Sequence, residues 1–224
     1  MREESSHRED TTENTYTDPG ADTPEGYRIA STSRSLARAV IGNATPEDRI
    51  RQRCAISVGD FVMADLLSFC GDPVSAGREA VARQVPIITD IRMVQAGILR
   101  SGHQCNIICA LDYGKDIAES KGITRTSSGF FALRERLGGS IIVIGNAPSA
   151  LLTVCDFITD GSRPAMVIAM PVGFVNAAES KERLRKLEVP SITTRGTRGG
   201  TPPAVAAMNE IITMHLEQNR IEGA

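Results

Sequence analysis

The apolar positions of this chain fall into short continuous runs, and between the runs they recur at helical spacing. PIIT (86 to 89), NIICAL (106 to 111), Ser140 to Ile144, Met166 to Met170 and PSITT (190 to 194) are too short for helices. They are rich in β-branched residues and bounded by Gly, Pro or Asp, which predicts strands buried on both faces. Helical patterns cover Pro73 to Gln84, an Asp90-capped stretch reaching Ile98, Tyr113 to Ser120, Arg125 to Leu137, Pro148 to Ile158 and Glu179 to Leu187. A last helix starts at Thr201-Pro202-Pro203, with Val205, Met208, Ile212 and Leu216 sharing a face. Upstream, Ser31 to Ile41 reads as a helix, and Thr45-Pro46-Glu47-Asp48 reads as an N-cap, a proline at N1 and an acidic first turn opening another.

Strands alternating with helices imply right-handed crossovers and a parallel sheet covered on both sides. The expected fold class is therefore α/β, a flavodoxin-like three-layer sandwich around a mainly parallel five-stranded sheet. Residues 1–26 carry almost nothing apolar and predict a disordered tail, residues 27–219 one domain, and 220–224 a short C-terminal tail. A length of 224 residues suits a single core.

Net charge -2 and a pI near 6.0 argue against nucleic acid as a partner. No apolar run approaches the roughly 20 residues of a membrane helix, and the charged N-terminus lacks the apolar centre of a secretory signal. The expected location is cytoplasmic. Five cysteines, Cys54, Cys70, Cys105, Cys109 and Cys155, are scattered and odd in number, so they read as structural thiols. His7, His103 and His215 form no metal set, and no metal site is expected.

Candidate chemistry collects in three places. Two strands end in glycine loops, at Gly145-Asn146-Ala147-Pro148 and at Gly173. Loops at the carboxyl ends of parallel strands line the crevice where such sheets bind ligands, and small residues there let a ligand reach the backbone and a helix N-terminus. The alternative for Gly145, Asn146 and Ala147 is an ordinary tight connection. Thr193 to Thr201 contains Arg195, Arg198, Gly199 and Gly200 between the last strand and a helix, which suits a polyanion or, equally, a solvated turn. Thr124-Arg125-Thr126-Ser127-Ser128 gathers hydroxyls around one arginine at a helix start, where capping is the simpler explanation. Glu179 and Lys181 read first as an exposed helix start with a possible inward face.

Taken together, RSLA (34 to 37), GDFVMADLLSF (59 to 69), PIITDIRMVQAGI (86 to 98), TRTSS (124 to 128), GSIIVIGNAPSALL (139 to 152), MPVGFVNAAESK (170 to 181) and RGTRGGT (195 to 201) resemble the precorrin-8X methylmutase family of cobalamin biosynthesis. The resemblance runs from about Ser31 to Asn209 in the family's order. It implies an isomerase with no cofactor that moves a methyl group from carbon 11 to carbon 12 of a corrin-type macrocycle, and a homodimer with sites near the subunit interface. The substrate is fringed with acetate and propionate carboxylates, so its rim needs arginines and amide donors and its faces need apolar surface. Ser35, Arg125, Arg195, Arg198 and the loops of Gly145 and Gly173 match that need.

The chain departs from the family at one position. Members typically read R-V-I-H-T-T-G-D-F where this sequence has Arg53 to Phe61, so the histidine credited with assisting the shift falls on Ile56, which cannot donate a proton. Ser57, Asp60 and Asp90 are the nearest replacements, although Ser57 and Asp60 read more simply as local backbone partners and Asp90 as a helix cap. Three functions are therefore expected in descending order: a methylmutase, a non-catalytic corrinoid binder, and an unrelated flavodoxin-like flavin or nucleotide module. With no tryptophan and three tyrosines, an aromatic sandwich for a flavin is hard to build.

Overall fold

Two apolar cores, one on each face of a single sheet, organise the protein, for which a computed structural model describes residues 23–222. In chain order the elements are α1 (Pro24–Ile41), α2 (Pro46–Val58), α3 (Val62–Leu66), β1 (Leu67–Cys70), α4 (Pro73–Ala82), β2 (Ile87–Thr89), α5 (Arg92–Gly97) and β3 (Ile107–Cys109). They continue as α6 (Lys115–Lys121), α7 (Arg125–Ala132), β4 (Ile141–Ile144), α8 (Pro148–Thr159), β5 (Met166–Ala169), α9 (Ala177–Arg185), β6 (Ser191–Thr194) and α10 (Thr201–Glu222).

The uninterrupted apolar runs are explained by the pleat, which sends successive side chains to opposite faces. Ile141 and Val143 of β4 join α2, α4, α5 and α10 in one core, while Ile142 and Ile144 join α7, α8 and α9 in the other. The expected face of the last helix is found: Met208 and Ile212 are buried, and Val205 and Leu216 pack at the edge of the same core. The capping box at Thr45 and Asp48 is also found, with Pro46 in the first helical turn.

The sheet has six strands in the order β1-β6-β5-β4-β2-β3, and not the five expected. The additional strand, β1, is antiparallel to β6 at the sheet edge, and the other pairings are parallel. It escaped the sequence pattern because α3 runs into it with no Gly or Pro between them, and one side chain of its four is fully buried.

Several boundaries differ. α1 begins at Pro24, capped by Thr23, so the expected tail of residues 1–26 overlaps a helix; its first 22 residues lie outside the described ones. α10 continues to Glu222, past the expected domain end at 219, and residues 223–224 also lie outside. The helix expected from Arg125 to Leu137 stops at Ala132 and is followed by a 3-10 turn at Arg134–Arg136.

A buried ionic cluster joins α1 and α2 to α10. Glu210 of α10 is fully buried and accepts from Arg34 of α1 (2.5 Å) and Arg49 of α2 (2.8 Å), with Arg53 at 3.4 Å. Removing one partner of such a set is costly because the remaining charge is left buried.

Candidate functional site

The carboxyl ends of β3, β2, β4, β5 and β6 lie along one edge, so every loop singled out in the sequence emerges on the same side of the molecule. α3 joins them there, because β1 runs antiparallel and its first residue, Leu67, pairs with Thr194 at the end of β6. From β3 to β6 the edge crosses four strand spacings, roughly 19 Å. Arg125 stands near the β3 end and Arg198 beyond β6, so the structure puts them on one edge without direct contact.

Strand order reverses between β2 and β4, the place where an open α/β sheet has its ligand crevice. Here the backbone amides at the foot of the crevice are taken by the protein itself. Asp90, buried at the end of β2, accepts hydrogen bonds from the backbone N–H groups of Gly145 (3.2 Å), Asn146 (2.8 Å) and Ala147 (2.9 Å). These are the amides expected to face a ligand, and they serve the N-terminal end of α8 instead. The expectation that Asp90 caps its own helix is corrected too: α5 starts after Ile91 with no side-chain cap. Burial pushes the Asp90 carboxyl above its usual range, and the three amides pull it back. Gly145 is required by packing, since a Cβ there would sit 2.9 Å from the Thr201 Cα and 2.7 Å from Val94 Cγ2.

The Arg125 segment abuts this crevice. Thr124 caps α7 through the Ser127 N–H (3.2 Å) and meets Ser149 of α8 at 2.8 Å, while Ser128 donates to the Arg125 carbonyl. Capping thus accounts for the Thr124 hydroxyl, and local bonds for those of Thr126 and Ser128. Arg125 is exposed and its guanidinium donates to the Leu111 carbonyl at 2.9 Å.

The other half of the edge is open. The loop after β5 is tied to the loop after β6 by Gly173 N–H to Thr197 O (3.1 Å) and Gly200 N–H to Met170 O (2.7 Å). A Cβ on Gly199 would fall on the Met170 carbonyl oxygen, so this position also demands glycine. Arg195 and Arg198 are exposed. Arg198 pairs with Asp60, whose other oxygen accepts the Val62 N–H (2.9 Å), and Arg195 donates to the Asp65 carbonyl (2.8 Å). Asp60 therefore comes to this half, as the sequence allowed, but as an arginine partner.

Lys181 is the largest surprise, because a side chain read as part of an exposed helix start is fully buried beneath the Arg195–Gly200 loop. Its ammonium donates to Thr194 Oγ1 (2.9 Å) and to the Arg198 carbonyl (2.8 Å). Burial, reinforced by the Arg185 guanidinium, lowers its pKa to about 8. Glu179, two residues earlier, is exposed.

Three other candidates are placed apart from these loops or turned toward their own backbone. Ser35 is exposed on α1, a helix that packs on α2 and reaches α10 through Arg34, and no described bond takes it to the loops. Ser57 donates to the Cys54 carbonyl at 2.7 Å. Ile56 occupies the last turn of α2 and is half-buried. Cys54, Cys105, Cys109 and Cys155 are buried, with Cys155 pushed up to about 12 by burial. Among the described residues no group of three or more His, Cys, Asp or Glu converges as a metal site needs, and no helix is long and apolar enough to cross a membrane.

Sequence reasoning missed the apolar residues that share the open half. Phe61 and Val62 on one side of the Arg195–Gly200 loop, and Val172, Phe174 and Val175 on the other, are exposed. The signal was present in MPVGFVNAAESK, where an aromatic and a β-branched residue sit inside a turn next to glycine, an unusual place for residues that normally seek a core.

The sequence matches the precorrin-8X methylmutase family (CbiC) over residues 28–214. It is 37% identical over 203 residues to a cobalt-precorrin-8 methylmutase from Methanocaldococcus jannaschii, covering 86% of this chain and 96% of that protein. It is 38% identical to the cobalamin biosynthesis protein CbiHC of Archaeoglobus fulgidus, of whose greater length it spans 41%. A crystal structure described as precorrin-8x methyl mutase from Thermus thermophilus superposes with a TM-score of 0.79 at 30% identity, covering 86% of this chain and 97% of that one. With the match running from α1 into α10, the chain belongs to the precorrin-8X methylmutase family.

Proposed function

We propose that the protein is a methylmutase acting on precorrin-8X or its cobalt form, shifting a methyl group from carbon 11 to carbon 12 of the macrocycle to give hydrogenobyrinate or cobyrinate. The observation that carries this reading, beside family membership, is the open half of the edge, where exposed Arg195 and Arg198 stand among exposed apolar side chains. Guanidinium groups suit a carboxylate fringe and apolar surface suits a flat ring system. Arg125 adds a cation at the far end of the edge. In this reading Arg195, Arg198 and Arg125 orient the macrocycle, and the Gly173 and Gly199–Gly200 turns allow it close to the backbone. Glu179, exposed in the first turn of α9, stands beside the same loops, and Ser35 lies on α1; the reading includes a homodimer, with the cytoplasm as its location.

The parallel strands, taken in chain order, lie 2-1-3-4-5 across the sheet, which supports the flavodoxin-like description. The direct test is conversion of precorrin-8X by the purified protein, followed by absorption. Product formation is the expected result, and absence of both conversion and corrinoid binding defeats the proposal.

A specific observation favours a second reading, a corrinoid binder without turnover. Ile56 cannot act as an acid, Ser57 is turned to its own helix, and Asp60 is held by Arg198. A positioned general acid contributes about 10²- to 10⁴-fold to rate. Tight binding without conversion, with conversion gained in Ile56→His, would select this reading; conversion by the unaltered chain rejects it.

A further inference from the structure

We infer that Phe174, with Phe61 opposite it, forms the pair of apolar plates that receives the faces of the macrocycle. The inference rests on the corrinoid reading above and adds to it the residues that grip the ring.

The distribution of phenylalanine is the first observation. The chain has six, all described, and the two that are exposed, Phe61 at 46% and Phe174 at 95%, both lie at the open half of the sheet edge. Each has an exposed β-branched neighbour, Val62 and Val175. The two pairs flank the same loop: Phe61 follows Asp60, which pairs with Arg198, and Phe174 follows Gly173, which donates to the Thr197 carbonyl.

Backbone conformation is the second. Gly173 and Asn176 both have positive φ, 137° and 60°, and bracket Phe174 and Val175. Asn tolerates that region at a cost, and most other residues do so poorly. Since both ends of the segment are also anchored, by the Gly173–Thr197 bond below and by α9 after Asn176, the outward aim of Phe174 is built into the loop. A preorganised aromatic loses little conformational freedom when a ligand arrives.

Charge identifies the occupant. A second protein face of apolar character would be met by an apolar surround, whereas here the plates alternate with guanidinium groups, and Arg195 is bonded to a carbonyl and not to a carboxylate. That alternation fits a flat apolar ring carrying acids on its rim.

The chain contains no tryptophan, so Phe174→Trp introduces a single reporter. Titration with hydrogenobyrinic acid should quench its emission by more than half at saturation. Ile221→Trp, 79% exposed near the far end of α10, serves as the control and should be quenched far less. Phe174→Ala should weaken hydrogenobyrinic acid binding by tenfold or more, with Phe61→Ala smaller, Phe174→Leu between, and an unchanged unfolding midpoint.

Three outcomes would overturn the inference: equal quenching of the two reporters, an affinity of Phe174→Ala within twofold of the parent, or a change of oligomeric state in Phe174→Ala, which would assign the residue to a contact between copies. If the unaltered protein fails to bind hydrogenobyrinic acid, the corrinoid reading falls, and this one with it.

Discussion

The two halves of the sheet edge start from the same plan, a buried strand ending in a glycine turn, and arrive at opposite states. Between β2 and β4 the Asp90 carboxylate takes three amides, and Gly145 is pressed against Thr201 and Val94. Above β5 and β6 the turns carry the exposed side chains of Phe174, Arg195 and Arg198, the arginines bonded only to the segment between α2 and β1 and the backbone amides tied between the two turns. A glycine turn at the end of a parallel strand is therefore evidence for close approach, and the approaching group can belong to the protein itself.

Four measurements would break or sharpen this contrast. The largest effect is expected at Asp90, whose change to Ala leaves amides at the start of α8 unpartnered and should reduce unfolding free energy by about 4 kcal/mol. Asp90→Asn should fall between, because an amide oxygen can replace Oδ2 while its NH₂ opposes the Gly145 N–H. A loss below about 1 kcal/mol in denaturant titration would remove the distinction between the halves.

Lys181 comes next. Burial lowers its pKa to about 8 in the folded protein, against 10.5 for an ordinary lysine, so between those pH values the unfolded chain holds a proton that the folded chain has released. Stability contributed at this site therefore rises with pH across the window. Relative to Lys181→Met, the parent should gain up to about 3 kcal/mol between pH 7.5 and pH 10.5. A flat difference would mean that the ammonium is not desolvated.

Gly145→Ala and Gly196→Ala compare the halves directly. The first drives a methyl group into backbone and should cost about 2 kcal/mol. The second meets open space and strains only its φ of 70°, with a cost of about 1 kcal/mol or less. Equal costs would show that the packed side relaxes as easily as the open one.

Arg198→Ala should move stability least, by under about 0.5 kcal/mol, because its pairing with Asp60 is exposed. It should nonetheless weaken hydrogenobyrinic acid binding about tenfold, read by absorption titration. An unchanged affinity would take the β6 loop out of the proposed site.

The parallel strands were legible because burial on both faces leaves an apolar run that no other element of that length produces. β1 was not, since an edge strand beside a five-residue helix carries neither alternation nor a turn signal. The loops were found from glycine and arginine, yet which amides were free depended on Asp90, more than fifty positions away in sequence. Lys181 shows the same limit: helical spacing placed it on a polar helix, and only the neighbouring strand shows that it lies inside. Residue types located the edge, while long-range partners decided which half of it stays available.

The Arg34–Glu210 contact joins positions 176 residues apart. Since Arg49 of α2 bonds the same carboxylate, the helix that leads into Asp60 and Phe61 receives its anchor from α10. During synthesis, the aromatic side of the sheet edge therefore lacks this anchor until α10 has left the ribosome.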